Sequence, residues 1–270
     1  MHAARLISLA SLFAALSACG GGGDSGDTPP PPPPAPPIGT AGIFDVDYGQ
    51  FTGVYTMLDD GRFYGMHFVS GGSVLAGHPH GPLSANNSTG SREHIAWANF
   101  IDDLHQTGRQ EQAGVFGRTF HPSTLDVSIT GSMGSFSATA TRQKTWASDD
   151  AHTLYNDPIP LASLAGNYSG IVRTAGIATP QQSLTGFTVG ADGNWSITAA
   201  GCHFEGTLAQ YRSTGVYEAE ATPSGDGCRF TGPLAGVLMP MSYVNGMPRL
   251  GLQLDTADNT QTAVFLLNKQ

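Results

Sequence analysis

Positive charge is scarce in this chain. Lysine and arginine number 12 in 270 residues, against 21 Asp and Glu, and the net charge is -9. The basic residues are scattered, so nothing forms the stripe that a phosphate backbone requires, and nucleic acid is not an expected partner. Charged residues of both signs make up 12% of the chain, about half the usual share of a soluble protein. Helices draw on Glu, Lys, Arg and Leu, so this shortage points away from a helical fold. Catalytic signatures are missing as well: there is no G-x-S-x-G, no P-loop and no H-E-x-x-H. Only three cysteines occur, at 19, 202 and 228.

Glycine and proline, by contrast, are plentiful, at 36 and 18 residues. Residues 1–18, MHAARLISLASLFAALSA, place Arg5 before an apolar stretch from Leu6 to Leu16. This is the pattern of a secretory signal peptide and is short for a membrane span. LSAC follows, from Leu16 to Cys19. It resembles the lipobox of bacterial lipoproteins, and the resemblance implies that Cys19 is acylated and becomes the mature N-terminus. The residue after the cysteine is Gly20. In Gram-negative lipoproteins an Asp there commonly retains the protein at the inner membrane, so its absence favours a lipid anchor in the outer membrane. Residues 19–42 read as a tether. Its glycines are flexible, and Pro29 to Pro37 form a polyproline rod of about 28 Å at about 3.1 Å per residue.

From residue 43 onward alternation of period two dominates. FTGVYTMLDDGRFYGMHFV reads as a hairpin turning at Asp60-Gly61, and LDVSITGSMGSFSATAT as another turning near Ser132 to Gly134. The stretch from Arg92 to His105 fits a helix or a strand equally. Gly49 to Val54 (GQFTGV) is echoed at Gly166 to Ile171 (GNYSGI). Between these runs lies a stretch without alternation that holds Pro158 and Pro160. The reading is all-β: two tandem antiparallel β domains, 43–145 and 160–270, joined by a linker at 146–159. The first yields six to eight strands, as an open sheet or a distorted barrel. The second yields eight, near 167–173, 184–189, 194–200, 203–210, 215–222, 232–243, 248–255 and 261–268, which suits an up-and-down β-barrel.

GCHFEGTLA at Gly201 to Ala209 recurs as GCRFTGPLA at Gly227 to Ala235. Strand alternation puts Cys202, Phe204, Gly206 and Leu208 on one face, and Cys228, Phe230, Gly232 and Leu234 on the corresponding face of the second copy. An envelope location is oxidising, and with Cys19 lipidated the remaining two make an even pair, so a Cys202–Cys228 disulfide is expected. Strands two apart are nearly 10 Å apart in a flat sheet. The bridge therefore needs barrel curvature, or Cys228 in the SGDG turn reaching across the floor. Two buried thiols or a metal pair are the alternatives.

Candidate chemistry is sparse. His78 and His80 in GHPHG could ligate a metal with His67, His94 or His105, but Pro79 between them reads as a strand breaker in a solvated loop. Asp102, Asp103 and His105 read as a solvated turn. Asp59-Asp60 and Asp149-Asp150 read as turn residues bonding their own backbone. Trp97, Trp146 and Trp195 are candidate binding aromatics, with Trp195 placed at a barrel end. No cofactor is expected. The tether, the two β domains and the Gly-rich phrases GNYSGIV and ADGNWSI resemble the two-domain barrel surface lipoproteins of Gram-negative bacteria, of the transferrin-binding protein B and factor H-binding types. No binding residue carries over from that resemblance, and the lysine-rich handle loops of the transferrin binders are missing. The expectation is an envelope lipoprotein that contacts the bilayer through palmitate on Cys19 and has a non-enzymatic binding or structural role. The alternatives are an envelope hydrolase with a site in the first domain, and a lipocalin-like carrier.

Overall fold

The structure, a computed structural model, describes residues 41–49, 51–69, 75–82, 92–99, 109–115, 120–121, 124–131, 134–143, 153–177, 181–244 and 247–270. The lipobox with Cys19, residues 19–40 of the tether, His105, Asp102, Asp103, Trp146, Asp149 and Asp150 lie outside the described residues. Within the described chain the fold is antiparallel β throughout, apart from one helical turn, α1 (Leu161–Leu164).

The first sheet has nine strands, more than the six to eight expected. They are β1 (Gly42–Asp47), β2 (Phe51–Met57), β3 (Arg62–Val69), β4 (Leu75–Pro82), β5 (Arg92–Asn99), β6 (Arg109–Val115), β7 (Phe120–His121), β8 (Thr124–Gly131) and β9 (Gly134–Arg142). Their order is β6-β5-β4-β3-β2-β1-β9-β8-β7, an open sheet. The Asp60-Gly61 hairpin forms where expected: Leu58 N–H donates to the Arg62 carbonyl at 2.9 Å, and Gly61 takes a φ of +93° that a side chain would resist. The ambiguous stretch at Arg92 is a strand, β5. Pro79 does not break its strand. It sits within β4, where the β3–β4 register skips from Tyr64–His80 to His67–Gly77. Proline has no N–H to give to a ladder, and the gap accommodates it. GHPHG is thus strand, not loop.

The second sheet is a closed barrel of eight strands in sequence order. They are β10 (Gly166–Ala175), β11 (Gln182–Val189), β12 (Asn194–Ala199), β13 (Cys202–Gln210), β14 (Tyr217–Ser224), β15 (Leu234–Val244), β16 (Met247–Thr256) and β17 (Thr262–Lys269). Ladder pairing of β10 with β17 closes it, from Tyr168–Lys269 to Ala175–Thr262. Inward residues fill the interior. Tyr168, Phe187, Trp195, Phe204 and Phe265 are all buried. Phe187 stacks on Trp195 at 5.3 Å, and Phe204 meets Phe265 edge-on at 5.7 Å. Trp195 therefore belongs to the core. Opposite it stands Gly206, where any Cβ would lie 2.5 Å from the indole and 2.0 Å from the Glu220 carbonyl oxygen.

Cys202 and Cys228 are disulfide-bonded, with Cα atoms 4.4 Å apart. The repeated phrase does not make two equivalent strands. Cys202 opens β13, but Cys228 and Phe230 lie in the loop before β15, which begins only at Leu234. Gly232 and Pro233 delay that strand, since proline cannot donate to the ladder. The loop still closes on the barrel. Phe230 meets Phe204 edge-on at 5.5 Å, and the Gln261 amide donates to the Arg229 carbonyl and accepts from Thr231 N–H.

Both sheets belong to one compact unit. Alternation explains how. On β15 and β17, Leu234, Leu238, Phe265 and Leu267 point into the barrel, while Val237, Met239, Met241, Val264 and Leu266 point outward. The outward set is buried too, against Ile43, Val54, Met66 and Phe68 of the first sheet. Gly251 on β16 leaves room for Met66, whose Cε would lie 2.1 Å from a Cβ there. Part of the stretch read as a linker is packed as well: Leu154 and Tyr155 are buried in this shared core, and Gly215 N–H donates to the Tyr155 carbonyl at 2.7 Å.

Candidate functional site

A cleft of about 430 Å³ opens where the outer faces of the two sheets meet. Its first wall comes from β1, whose sequence GIFDVD alternates. Phe44 and Val46 turn into the first sheet's own core, while Ile43, Asp45 and Asp47 turn toward the barrel. Cross-strand neighbours extend that wall: Val54 opposite Asp45 and Thr52 opposite Asp47 on β2, and Thr141 opposite Asp45 on β9. The facing wall is Met241 and Arg249, themselves partners on β15 and β16. The ladder from β1 to β9 has two register pairs, Phe44–Arg142 and Asp45–Thr141, and the cleft lies along β1 past its end.

The charges on these walls are poorly compensated. Arg249 is half-buried, and burial pulls its guanidinium below the usual arginine range. Its Nε is buried without a hydrogen-bond partner among the described residues. Asp45 stands exposed at the mouth, yet enough surface surrounds the carboxyl that desolvation raises it above the usual range. A hydrogen bond from Gln143 Nε2 at 2.5 Å works in the opposite direction. Asp47 Oδ1 accepts from Gly49 N–H at 2.7 Å, an interaction that fixes the turn after β1.

Behind this wall, inside the first sheet, runs a hydrogen-bonded chain. The hydroxyls of Tyr48 and Tyr55 are 2.6 Å apart, and Tyr55 Oη is 2.6 Å from His67 Nε2. Burial pushes Tyr48 up to about 12, and burial with the neighbouring Tyr48 pushes Tyr55 well above its ordinary value. Both phenols stay protonated at neutral pH, and their hydrogen bonds to each other and to His67 pin β2 and β3 to the turn after β1.

Among the described residues, no group of three or more His, Cys, Asp or Glu could hold a metal. His67 is committed to Tyr55. For His78, His80, His94 and Trp97 the backbone register alone is described: His78 faces Ala98, His80 faces Tyr64 and Ala96, His94 faces Ala113, and Trp97 faces Pro79 and Gln110. Two larger depressions, about 570 and 790 Å³, are lined by barrel residues, among them Asn194, Glu205 and Gly206 in both. Sequence reasoning passed over Asp45, Asp47 and Arg249. Their signal was present: a lone arginine in the apolar strand MPRLGLQLDT, and two acids on one face of GIFDVD.

No protein-family model matches the chain, and no curated protein matches it. Among solved structures, the chain is similar to the crystal structure of a protein of unknown function from the DUF3598 family of Nostoc punctiforme PCC 73102. The identity is 6% and the TM-score 0.24, over 86% of this chain and 97% of that one. No helix among the described residues is long and apolar enough to cross a membrane, which does not bear on spanning by strands.

Proposed function

We propose that the chain is an outer-membrane-anchored lipoprotein whose β body binds a ligand at the cleft between its two sheets. The cleft carries this reading: Arg249 lines it half-buried, and among the described residues no acid pairs with that charge, which costs free energy unless an acceptor meets it. The LSAC sequence ahead of a Gly- and Pro-rich tether supports the anchor, with acylation at Cys19. The barrel interior supports a carrier role less well, because Tyr168, Phe187, Trp195, Phe204 and Phe265 occupy it.

Two experiments test the proposal. Cys19→Ala should move the protein out of the membrane fraction, and labelled palmitate still incorporated into that variant would sink the anchor. Cross-linking capture from intact cells should recover an envelope component with the acylated chain. The same capture should fail with Thr141→Trp, which places a large ring in the cleft. Undiminished capture by that variant would move the site elsewhere.

A further inference from the structure

We infer that the cleft takes a small zwitterion with an apolar middle, such as a short peptide with free amino and carboxyl ends. This rests on the cleft being the binding site. The argument starts from the opposed walls. The first sheet contributes two acids, Asp45 and Asp47, and the barrel contributes Arg249. Among the described residues, neither acid pairs with the arginine. Had the walls carried one sign, the ligand would be a simple ion of the other. Had they paired, the cleft would be neutral and need only apolar contact.

Each wall instead asks for a different end of the ligand. A guanidinium presents five donors and no acceptor, so Arg249 in the cleft lining calls for a carboxylate or a similar oxyanion. Ionised carboxylates only accept, so Asp45 and Asp47 call for a donor such as an ammonium group. Val54, Phe68 and Met241 also line the cleft and offer apolar contact to the rest of the molecule. The hydroxyls of Thr52 and Thr141 can supply or accept hydrogen bonds along a backbone. A volume of about 430 Å³ falls in the range of small-molecule sites and would hold a dipeptide.

Three probes separate the two ends: leucyl-phenylalanine with free termini, its N-acetyl form and its C-terminal amide. Binding to the full chain is read by calorimetric titration and by NMR shifts of the Val54 and Met241 methyl groups. The free dipeptide should bind, and blocking either end should weaken it by about tenfold or more. In Arg249→Met, the free dipeptide and the amide should bind equally. In Asp45→Asn/Asp47→Asn, the free and N-acetyl forms should bind equally. Equal affinity of all three probes for the wild-type chain, or no binding at millimolar concentration, overturns the zwitterion. Thr52→Trp and Thr141→Trp each block the cleft, and thermal melting shows whether each is folded. Dipeptide binding that survives both blocks refutes the placement. Capture from cells that is lost on blocking, with no dipeptide bound, refutes the ligand class and leaves the cleft standing. Capture unaffected by blocking refutes the cleft itself.

Discussion

Asp59, at the tip of the β2–β3 hairpin, accepts hydrogen bonds from Tyr211 and Arg212, in the turn between β13 and β14. Its neighbour Asp60 holds Arg62, and Arg62 in turn reaches Glu218 of the barrel at 2.7 Å while lying 5.3 Å over the Tyr211 ring. A hairpin tip in one sheet is thereby clamped to a turn in the other. Asp60 does what a turn aspartate commonly does and accepts the Arg62 N–H at 3.0 Å. Asp59 serves the docking instead.

The clamp should couple the sheets measurably. The Asp59 side chain is 18% exposed and that of Arg212 51%. The ion pair is therefore half-solvated and modest, while the Tyr211 bond is better shielded. Asp59→Ala should lower stability in urea by about 1–2 kcal/mol, the value of one charged hydrogen bond and a weak ion pair. Arg212→Gln alone should cost less than Tyr211→Phe. The reverse order would mean that the charge, rather than the phenol, holds the hairpin down.

Acid should loosen the same contact. Burial alone would raise Asp60, but the hydrogen bonds and charge of Arg62 outweigh it and hold the carboxyl below its ordinary value of 3.8. A depressed folded value contributes stability above the unfolded pKa and loses it as pH falls through the folded one. Asp258 is lowered likewise, by Thr256 and Thr260. Asp45 is raised by burial, so its contribution has the opposite sign: it is full below the unfolded pKa and lost as pH rises through the folded value. In urea titrations from pH 6 down to about pH 2.5, Asp60→Asn should flatten the acid loss of stability without abolishing it. Asp45→Asn should steepen that loss and be more stable than wild type at pH 6. A steeper profile for Asp60→Asn would contradict the assignment.

Much of the barrel was readable in the sequence, because each strand carries its own alternation and each turn its own Gly or Asp. All eight strands lie within a few residues of their expected spans. The Asp60-Gly61 turn and the Cys202–Cys228 pair were readable for the same local reason. Of the two routes left open for the bridge, the structure takes the turn: Cys228 N–H donates to the Gly225 carbonyl at 3.0 Å, and the strand after it begins only at Leu234, past Pro233. The docking of the two sheets was harder to see. LAGVLMPMSYV and TAVFLLN are apolar on both alternations, the mark of strands covered on both faces. Nothing in either segment says what covers the outer one. Arg249 stands out in the sequence as the lone arginine of an apolar strand, but what it faces was not readable there. Its surroundings come from β1, β2 and β9, far away in the chain.

The disulfide should stabilise both sheets, because they share a buried core. It closes a loop of 26 residues, and the chain-entropy model gives about 3–4 kcal/mol for a loop of that size. Cys202→Ser/Cys228→Ser should lose about that much in urea. NMR of the Trp195 indole reports the barrel, and NMR of the Met57 methyl group reports the first sheet. The two signals should move together to the lower midpoint. A Met57 transition that stays at the wild-type midpoint would show that the shared core of Ile43, Met66, Val237 and Met239 does not make the sheets cooperative.

Phe265 is the hub of the barrel interior. Its ring lies 5.7 Å from Phe204, 6.1 Å from Phe187 and 6.4 Å from Trp195, and it is wholly buried. Truncation removes a large apolar side chain from among rings whose places are fixed by their own strands, so collapse into the gap should be incomplete. Phe265→Ala should cost about 3–5 kcal/mol, and Phe265→Leu distinctly less. The void left by Phe265→Ala would be lined by rings and Leu side chains, and such apolar cavities stay dry and accept small apolar guests. Benzene should therefore raise the melting temperature of Phe265→Ala and leave that of the wild type unchanged. A wild-type barrel that already responds to benzene would restore the carrier reading, since it would mean that the native interior has room for a guest.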